Sequence, residues 1–400
     1  MNKSNFFKLA VMMFLQYMLF AVWWSQFAAY LENMQIAQIA LIMSSMAIGS
    51  MAAPLVGMFA DRYIASEKLL AALNLLVAGF LFLATRQTGF AGLMTTITLA
   101  MLCYMPTWSL TSSIAMTHIS TEQFPKIRLF GTFGWIASAL FSLTAGFAFS
   151  VDKFDGTVLP LYCGAVTALF TALFNLFLPK TPPTGSKSDK YSIVDILGLR
   201  VISTLKNSNF NRFVLISALA VIPFVLYQSY VSMFLSNQGF EYITVTMNIG
   251  QLAELFFLFI TTAIIVKFGF KNALLFGLLA MFVRYLSFTL GIVADQQWLY
   301  YIAIVPHGLI FGLFFVAGQV YTDKLVSKEF RAQAQGFLAF ALWGVACLIG
   351  TLVNGWLINI LKTGDATNWT LLFLIAGALT LAAIALLLLF FKNPSKDDID

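Results

Sequence analysis

Long runs of apolar residues separated by short polar segments dominate this chain. All twelve runs last about 19 residues or more, the length a helix needs to cross a hydrocarbon layer about 30 Å thick. They lie at about 6–30, 36–59, 68–86, 90–114, 127–150, 158–179, 210–236, 243–266, 272–294, 298–322, 332–361 and 369–391. Backbone groups in lipid must pair within the protein, and the runs lack the alternation of barrel strands, so we expect helices.

The composition excludes an ordinary soluble fold. Of 400 residues, 60% are hydrophobic and 10% are charged, against roughly 25% charged in soluble domains. The three cysteines lie inside apolar runs without metal-ligand spacing, so no disulfide framework is expected. The first run is too long for a signal peptide and lacks a cleavage site. We therefore predict an all-α polytopic membrane protein with twelve transmembrane helices.

A polar segment divides the runs into two sets of six. It contains KTPPTGSKSDKYS, whose Pro, Gly, Ser and Lys content is typical of a flexible linker. We expect an N-terminal six-helix bundle at 1–179, a cytoplasmic linker at 180–209, and a C-terminal six-helix bundle with a short cytoplasmic tail at 210–400.

The basic residues predict the orientation. With both termini in the cytoplasm, 19 of the 23 Lys and Arg residues fall on the cytoplasmic side, three fall outside, and Arg284 lies within a span. This asymmetry follows the positive-inside rule. It predicts a multi-pass protein of the cytoplasmic (inner) membrane with both termini inside. The net charge of +6 then reflects topology rather than nucleic-acid binding.

Ionisable residues at membrane depth are functional candidates, because burial in lipid is costly. Glu254 lies near the middle of span eight, with Gln251 and Asn248 at three-residue intervals before it, so the three share a helical face. Such a stripe suits a polar ligand, and the carboxylate is a candidate proton carrier. The alternative is an ion pair between Glu254 and Arg284. Two further roles are open for Arg284: contact with the substrate, or hydrogen bonding to backbone carbonyls.

Spans seven and ten carry further polar residues. Gln228 in span seven, beside Tyr227 and Tyr230, suits hydrogen bonding and stacking with a sugar or a base. His307 in span ten is a candidate proton relay or ligand contact, and its alternative is a helix–helix contact. In span five, Arg128, Thr132 and Trp135 recur at spacings of four and three and share one face. A headgroup anchor is the alternative for Arg128.

Charged residues in the cytoplasmic loops are predicted to gate the protein. The loop after span two reads GMFADRYIASEK and resembles the G-x-x-x-D-R signature of the major facilitator superfamily, which assigns gating to Asp61 and Arg62; the alternative is a simple helix end. An acid followed by an arginine recurs in both halves, as Glu122 with Arg128 and as Asp323 with Arg331. We expect these pairs to act as pseudo-symmetric latches.

Motifs from span one to span twelve resemble the nucleoside:proton symporter family of that superfamily. They are FLQY in span one, YMPT in span four, FPKIRLFGTFG at span five, QLAE in span eight, FGLFF after His307, and RAQAQG at span eleven. Each is weak alone, but their order and spacing match the family. The resemblance implies nucleoside uptake with protons, by alternating access between two rocking halves.

The resemblance also implies which residues line the cavity. They are Arg128, Thr132, Trp135, Gln251, Glu254 and Phe311, with Gln228 at a position where the family has Asn. Two departures concern proton coupling: Gly312 stands where characterised members carry an Asp, and His307 stands at a Tyr position. Either Glu254, with His307, then carries the proton, or the coupling differs from that of the characterised members.

Nothing in the sequence indicates an enzyme, since no Walker loop, metal cluster or Gly-x-Ser-x-Gly motif is present. No cofactor is expected, and a proton gradient would drive transport. Expected partners are a nucleoside, protons and membrane lipid, with no nucleic acid, and the chain is expected to be a monomer. Two alternatives remain: an importer of a sugar or another small polar metabolite, and a non-transporting receptor or scaffold. A drug exporter fits less well, because its cavity would be more apolar.

Overall fold

A computed structural model describes residues 3–120, 123–151, 153–183, 208–326, 331–364 and 366–393. The helices of the first half are α1 (Lys3–Trp24), α2 (Phe27–Asn33), α3 (Ile39–Met43), α4 (Ser45–Arg62), α5 (Ser66–Ala84), α6 (Phe90–Tyr104), α7 (Thr107–His118), α8 (Phe124–Ala137), α9 (Ala139–Phe149) and α10 (Leu159–Asn175). The linker predicted at 180–209 lies largely outside the described residues.

The second half is also almost entirely helical where it is described. Its helices are α11 (Ser208–Asn237), α12 (Ile243–Val293), α13 (Trp298–Ile304), α14 (His307–Ile310), α15 (Ala317–Lys324), α16 (Arg331–Ala339), α17 (Cys347–Ile360) and α18 (Trp369–Phe390), with π-helical turns at Phe311–Val316 and Phe340–Ala346. Strands β1 (Lys362–Thr363) and β2 (Ala366–Thr367) form a two-residue antiparallel ladder.

The described helices coincide with the predicted spans. Within the described ranges, ten helical segments, several of them made of two consecutive helices, are long and apolar enough to cross a membrane. Two shorter apolar helices, Leu159–Asn175 and Ile243–Leu258, fall at predicted spans six and eight. Helix α12 carries spans eight and nine together, and its backbone leaves helical geometry at Gly269, where φ is 78°.

Several spans consist of two helices joined at a break. Span four breaks before Pro106, which lies between α6 and α7, and span ten breaks before Pro306, which lies between α13 and α14. Proline has no N–H to continue the helical ladder, so a break at these positions is expected. Each break places new polar side chains directly after the proline, Thr107 in one half and His307 in the other.

By internal contacts the chain forms two compact units, Met1–Lys190 with Tyr230–Asn248, and Tyr191–Ser229 with Ile249–Asp400. In the first unit, α1 packs against α8 and α10, while α5 packs against α6 and α10. A side chain at Gly134 would overlap the Phe14 carbonyl, so a residue without a side chain permits this approach of α8 to α1. The approach brings the candidate residues of α8 against α1.

Polar side chains tie the helices together inside both units. In the first, Asn74 donates to Gln16 Oε1 at 2.9 Å, and Gln16 donates to Thr107 Oγ1 at 2.7 Å. In the second, Asn354 donates to the Ile222 carbonyl at 2.8 Å, and the Tyr285 hydroxyl donates to the Pro223 carbonyl. These bonds satisfy groups that would be costly to bury unpaired.

Candidate functional site

Three predicted residues of the second unit meet around the imidazole of His307. The Gln251 side-chain nitrogen lies 3.0 Å from His307 Nε2, and Glu254 Oε2 lies 3.8 Å from the same atom. With the amide as donor, the neutral ring carries its proton on Nδ1. That nitrogen has no hydrogen-bond partner among the described residues. An amide, a carboxylate and an imidazole therefore share one buried position at the crossing of α12 and α14.

Two glycines make this crossing possible. A Cβ on Gly308 would lie 2.5 Å from the backbone nitrogen of Glu254, and a Cβ on Gly250 would lie 2.9 Å from His307 Cβ. Contacts that short are sterically excluded, so α12 and α14 reach this separation only because both residues lack side chains. The backbone contact holds Gln251 within hydrogen-bonding distance of His307 and holds the Glu254 carboxylate 3.8 Å from the same ring nitrogen.

A buried arginine lies beside this cluster. Arg284 is fully buried; its guanidinium carbon lies 3.8 Å from the centre of the Tyr227 ring, and its Nε donates to the Ala303 carbonyl at 3.2 Å. Its two terminal nitrogens have no hydrogen-bond partner within the described part of the chain. The Tyr227 ring also stacks on His307, with centroids 5.4 Å apart. Of the three roles considered for Arg284, these contacts fit the structural one, in which the side chain binds a backbone carbonyl.

Two further aromatic side chains stack on His307. Phe224 and Phe311 stack on the imidazole with ring centroids 6.2 Å and 6.4 Å away. Phe311 opens the first π-helical turn and is half-buried, as are Gln228 and Gln251, whereas Tyr227 and His307 are buried. The half-buried amides and ring are thus the members of this group that a ligand could reach.

The predicted residues of the first unit lie on α8. The guanidinium of Arg128 stands 4.2 Å from the centre of the Tyr17 ring on α1. Thr132 is buried, and the half-buried Trp135 meets Phe20 edge-on at 5.6 Å. Asn248, from the stripe predicted in span eight, lies in this unit and approaches the Ile136 carbonyl at 3.4 Å. The sequence did not predict the contact of Tyr17 with Arg128, although Tyr17 is the last residue of the FLQY motif.

The predicted gating residues lie at helix ends. Asp61 is exposed and Arg62 half-buried at the end of α4. Arg331 Nε lies 3.5 Å from Asp323 Oδ2, so this predicted pair is in contact. Glu122 lies outside the described residues.

A buried carboxylate that sequence reasoning missed lies in the connection between α9 and α10. Asp155 accepts from Thr244 N at 2.8 Å, Thr244 Oγ1 at 2.7 Å and Ser142 Oγ at 3.0 Å. Burial raises the pKa of this carboxyl above its usual value, and the hydrogen bonds oppose that shift. Asp155 therefore joins the first turn of α12 to the end of span five. No sequence motif marks the residue.

Comparison with known families decides the class of the protein. The model of the family described as nucleoside H+ symporter matches residues 2–396. The chain belongs to the nucleoside H+ symporter family. It is 31% identical to YegT of Escherichia coli strain K12, over 98% of this chain and 95% of the relative. It is 25% identical to the nucleoside permease NupG of the same strain, over 96% of this chain and 95% of the relative.

The structural comparison agrees with the family. A crystal structure of a variant of the nucleoside transporter NupG superposes with a TM-score of 0.87 at 24% identity, covering 97% of this symporter and all of that chain. This likeness confirms the predicted major facilitator fold with twelve helices in two six-helix bundles. The predicted family is confirmed as well. The symporter is a multi-pass membrane transporter and not an enzyme.

Proposed function

We propose that this symporter imports nucleosides together with protons, and that Glu254 and His307 carry the proton. The observation behind the proposal is the contact of these two proton-binding groups, 3.8 Å apart and buried within helices that cross the membrane. A carboxylate and an imidazole at membrane depth are costly and are typical of proton pathways. A carboxylate and an imidazole can each bind and release a proton.

The remaining polar and aromatic groups fit a nucleoside. Gln228, Gln251 and Thr132 offer hydrogen bonds for ribose hydroxyls and base edges, and Trp135 and Phe311 offer flat rings for stacking. Arg128 adds a donor on the first unit. Gln251 links the substrate site to the proton site, because its side chain contacts His307 directly. A nucleoside that hydrogen-bonds to Gln251 would compete with the Gln251–His307 contact, so substrate binding would change the hydrogen bonding of the imidazole.

Orientation and gating complete the proposal. The positive charges favour a cytoplasmic membrane location with both termini inside. Alternating access would open and close the pathway, with Asp61, Arg62, Glu122, Asp323 and Arg331 as gating residues. The Asp323–Arg331 contact supports a latch in the second half. We expect a monomer in membrane lipid that uses the proton gradient, needs no cofactor and binds no nucleic acid.

Uptake into proteoliposomes tests this function. Labelled uridine and adenosine should enter faster when the outside is acidic than without a pH gradient. Glu254→Gln should abolish the stimulation of uptake by the pH gradient, because the glutamine amide does not bind a proton at the pH of the assay. Glu241→Gln, the same substitution at an exposed carboxylate, should behave like the wild type.

The same assay separates the alternatives. A protein whose binding site is occupied by simple sugars, and not by nucleosides, in a competition measurement would be a sugar importer. Binding of nucleosides without counterflow would identify a receptor. Uptake that ignores both the pH gradient and Glu254→Gln would refute proton coupling through this residue.

A further inference from the structure

The first unit contains a stack of three side chains, of which the proposed function uses only Arg128. The guanidinium of Arg128 stands 4.2 Å from the centre of the Tyr17 ring, and Tyr17 stacks on Trp108 with centroids 5.4 Å apart and an angle of 22° between the rings. The layers come from α8, α1 and α7. Tyr17 is 6% exposed and covered by its two neighbours, whereas Trp108 is half-buried.

Hydrogen bonds fix the orientation of the Trp108 ring. Its Nε1 donates to the Tyr104 hydroxyl at 3.0 Å, and that hydroxyl donates to the Gln16 carbonyl at 2.7 Å. Phe20 meets the indole edge-on at 5.8 Å. The polar atom of the side chain is therefore satisfied within the protein, and what Trp108 offers to a ligand is a rigid aromatic surface.

The exposed side of α7 next to Trp108 carries three hydroxyl side chains together with Met116, which is 52% exposed. Ser109, Ser113 and Thr117 are exposed at intervals of four residues and so form one row of hydroxyls. Ser109 Oγ donates to the Pro106 carbonyl at 2.8 Å and Thr117 Oγ1 to the Ser113 carbonyl at 2.9 Å, within the same helical segment. The half-buried Trp108 lies directly before this row.

Trp108 also shares a neighbour with a predicted site residue. Phe20 meets Trp135 at 5.6 Å and Trp108 at 5.8 Å. Arg128 is linked to Trp108 through Tyr17 in the same way. Two of the three residues predicted on α8 are thus one ring away from this indole.

We propose that Trp108 is a further substrate-contacting residue, whose indole face stacks on the nucleobase and favours purine over pyrimidine nucleosides. This inference rests on the proposed function and deepens it. Stacking is tolerant of base identity but grows with ring overlap, so a two-ring base gains more than a one-ring base.

Binding of adenosine, uridine and ribose to purified variants tests the inference. Trp108→Leu removes the aromatic face and keeps an apolar side chain. We expect about a tenfold loss of adenosine affinity, a smaller loss for uridine and no change for ribose. Trp108→Phe should retain most of the affinity. Trp356→Leu is the matched control, because Trp356 is 60% exposed on α17, and it should bind adenosine as the wild type does.

Equal losses for adenosine and ribose, or adenosine affinity within twofold of the wild type, would overturn the role of Trp108. If the wild type binds neither nucleoside, the proposed function itself fails, which is a separate outcome. If Trp108→Leu does not fold, the stacking is tested by comparing the tryptophan fluorescence of the wild type and Trp108→Phe. Adenosine should quench the tryptophan emission of the wild type more strongly than that of Trp108→Phe, and equal quenching would contradict the stacking.

Discussion

Three charged residues within the spans each lie beside a ring side chain. Glu254 lies beside an imidazole, Arg284 contacts a phenol ring and a backbone carbonyl, and Arg128 lies over a phenol ring. Aromatic faces attract guanidinium groups without neutralising them. Of these three contacts, the one between Glu254 and His307 joins two groups that can bind and release protons.

Arg128→Lys tests the contribution of the planar guanidinium. An ammonium group cannot lie flat on Tyr17 or form a two-pronged hydrogen bond with a ligand. We expect the half-saturating uridine concentration to rise about three- to tenfold, measured by uptake into proteoliposomes. Arg86→Lys is the control, because Arg86 also lies over a ring, that of Phe82 at 5.4 Å, but is exposed. Equal effects of the two substitutions would contradict a binding role for Arg128.

The sequence identified the types of residue at the site but not their pairing. Gln251, Glu254 and His307 stood out because polar groups are rare in apolar runs. That His307 lies beside the other two depends on how α12 and α14 cross, and no pattern within either helix encodes the crossing. Arg284, close to Glu254 in predicted depth, contacts Tyr227 and Ala303.

At the scale of elements, the apolar runs predicted the helices because hydrocarbon allows few other structures. Pro106 and Pro306 account for two breaks within spans. The π-helical turns at Phe311–Val316 and Phe340–Ala346 had no such signal. Such turns rotate the following side chains and are frequent at functional sites.

Gly308→Ala tests the close crossing of α12 and α14. The new methyl group would lie 2.5 Å from the Glu254 nitrogen, so the helices must separate, at a cost of about 1–3 kcal/mol. We expect a lower thermal midpoint and slower uridine uptake. Gly336→Ala should leave both unchanged, because nothing lies within 4 Å of the added carbon. A Gly308→Ala protein with normal stability and uptake would refute the crossing described here.

At the scale of the whole molecule, a buried acid outside the spans links distant parts of the sequence. Asp155 binds Ser142 and Thr244, and the positive end of α12 favours a negative charge there. Burial nevertheless raises the pKa of Asp155 above 3.8. The folded protein then holds this proton more tightly than the unfolded chain does. Between 3.8 and the raised pKa, acidification therefore stabilises the fold through this residue.

Asp155→Asn tests this dependence through thermal midpoints measured from about pH 7 down to about pH 4. The midpoint of the wild type relative to the variant should increase as the pH falls, because only the wild type gains a proton at this position. Asp295→Asn, at an exposed turn, provides the control and should show no comparable trend. A difference between the wild type and Asp155→Asn that is constant, or that shrinks on acidification, would contradict the assignment.

Proton movement measured directly tests the central claim. Proteoliposomes containing a pH-sensitive dye are given uridine outside, with no initial pH gradient. If Glu254 and His307 couple proton entry to nucleoside entry, uridine should acidify the lumen of wild-type vesicles, and the signal should vanish in Glu254→Gln while Glu241→Gln retains it. Uridine uptake by the wild type without acidification of the lumen would contradict the account.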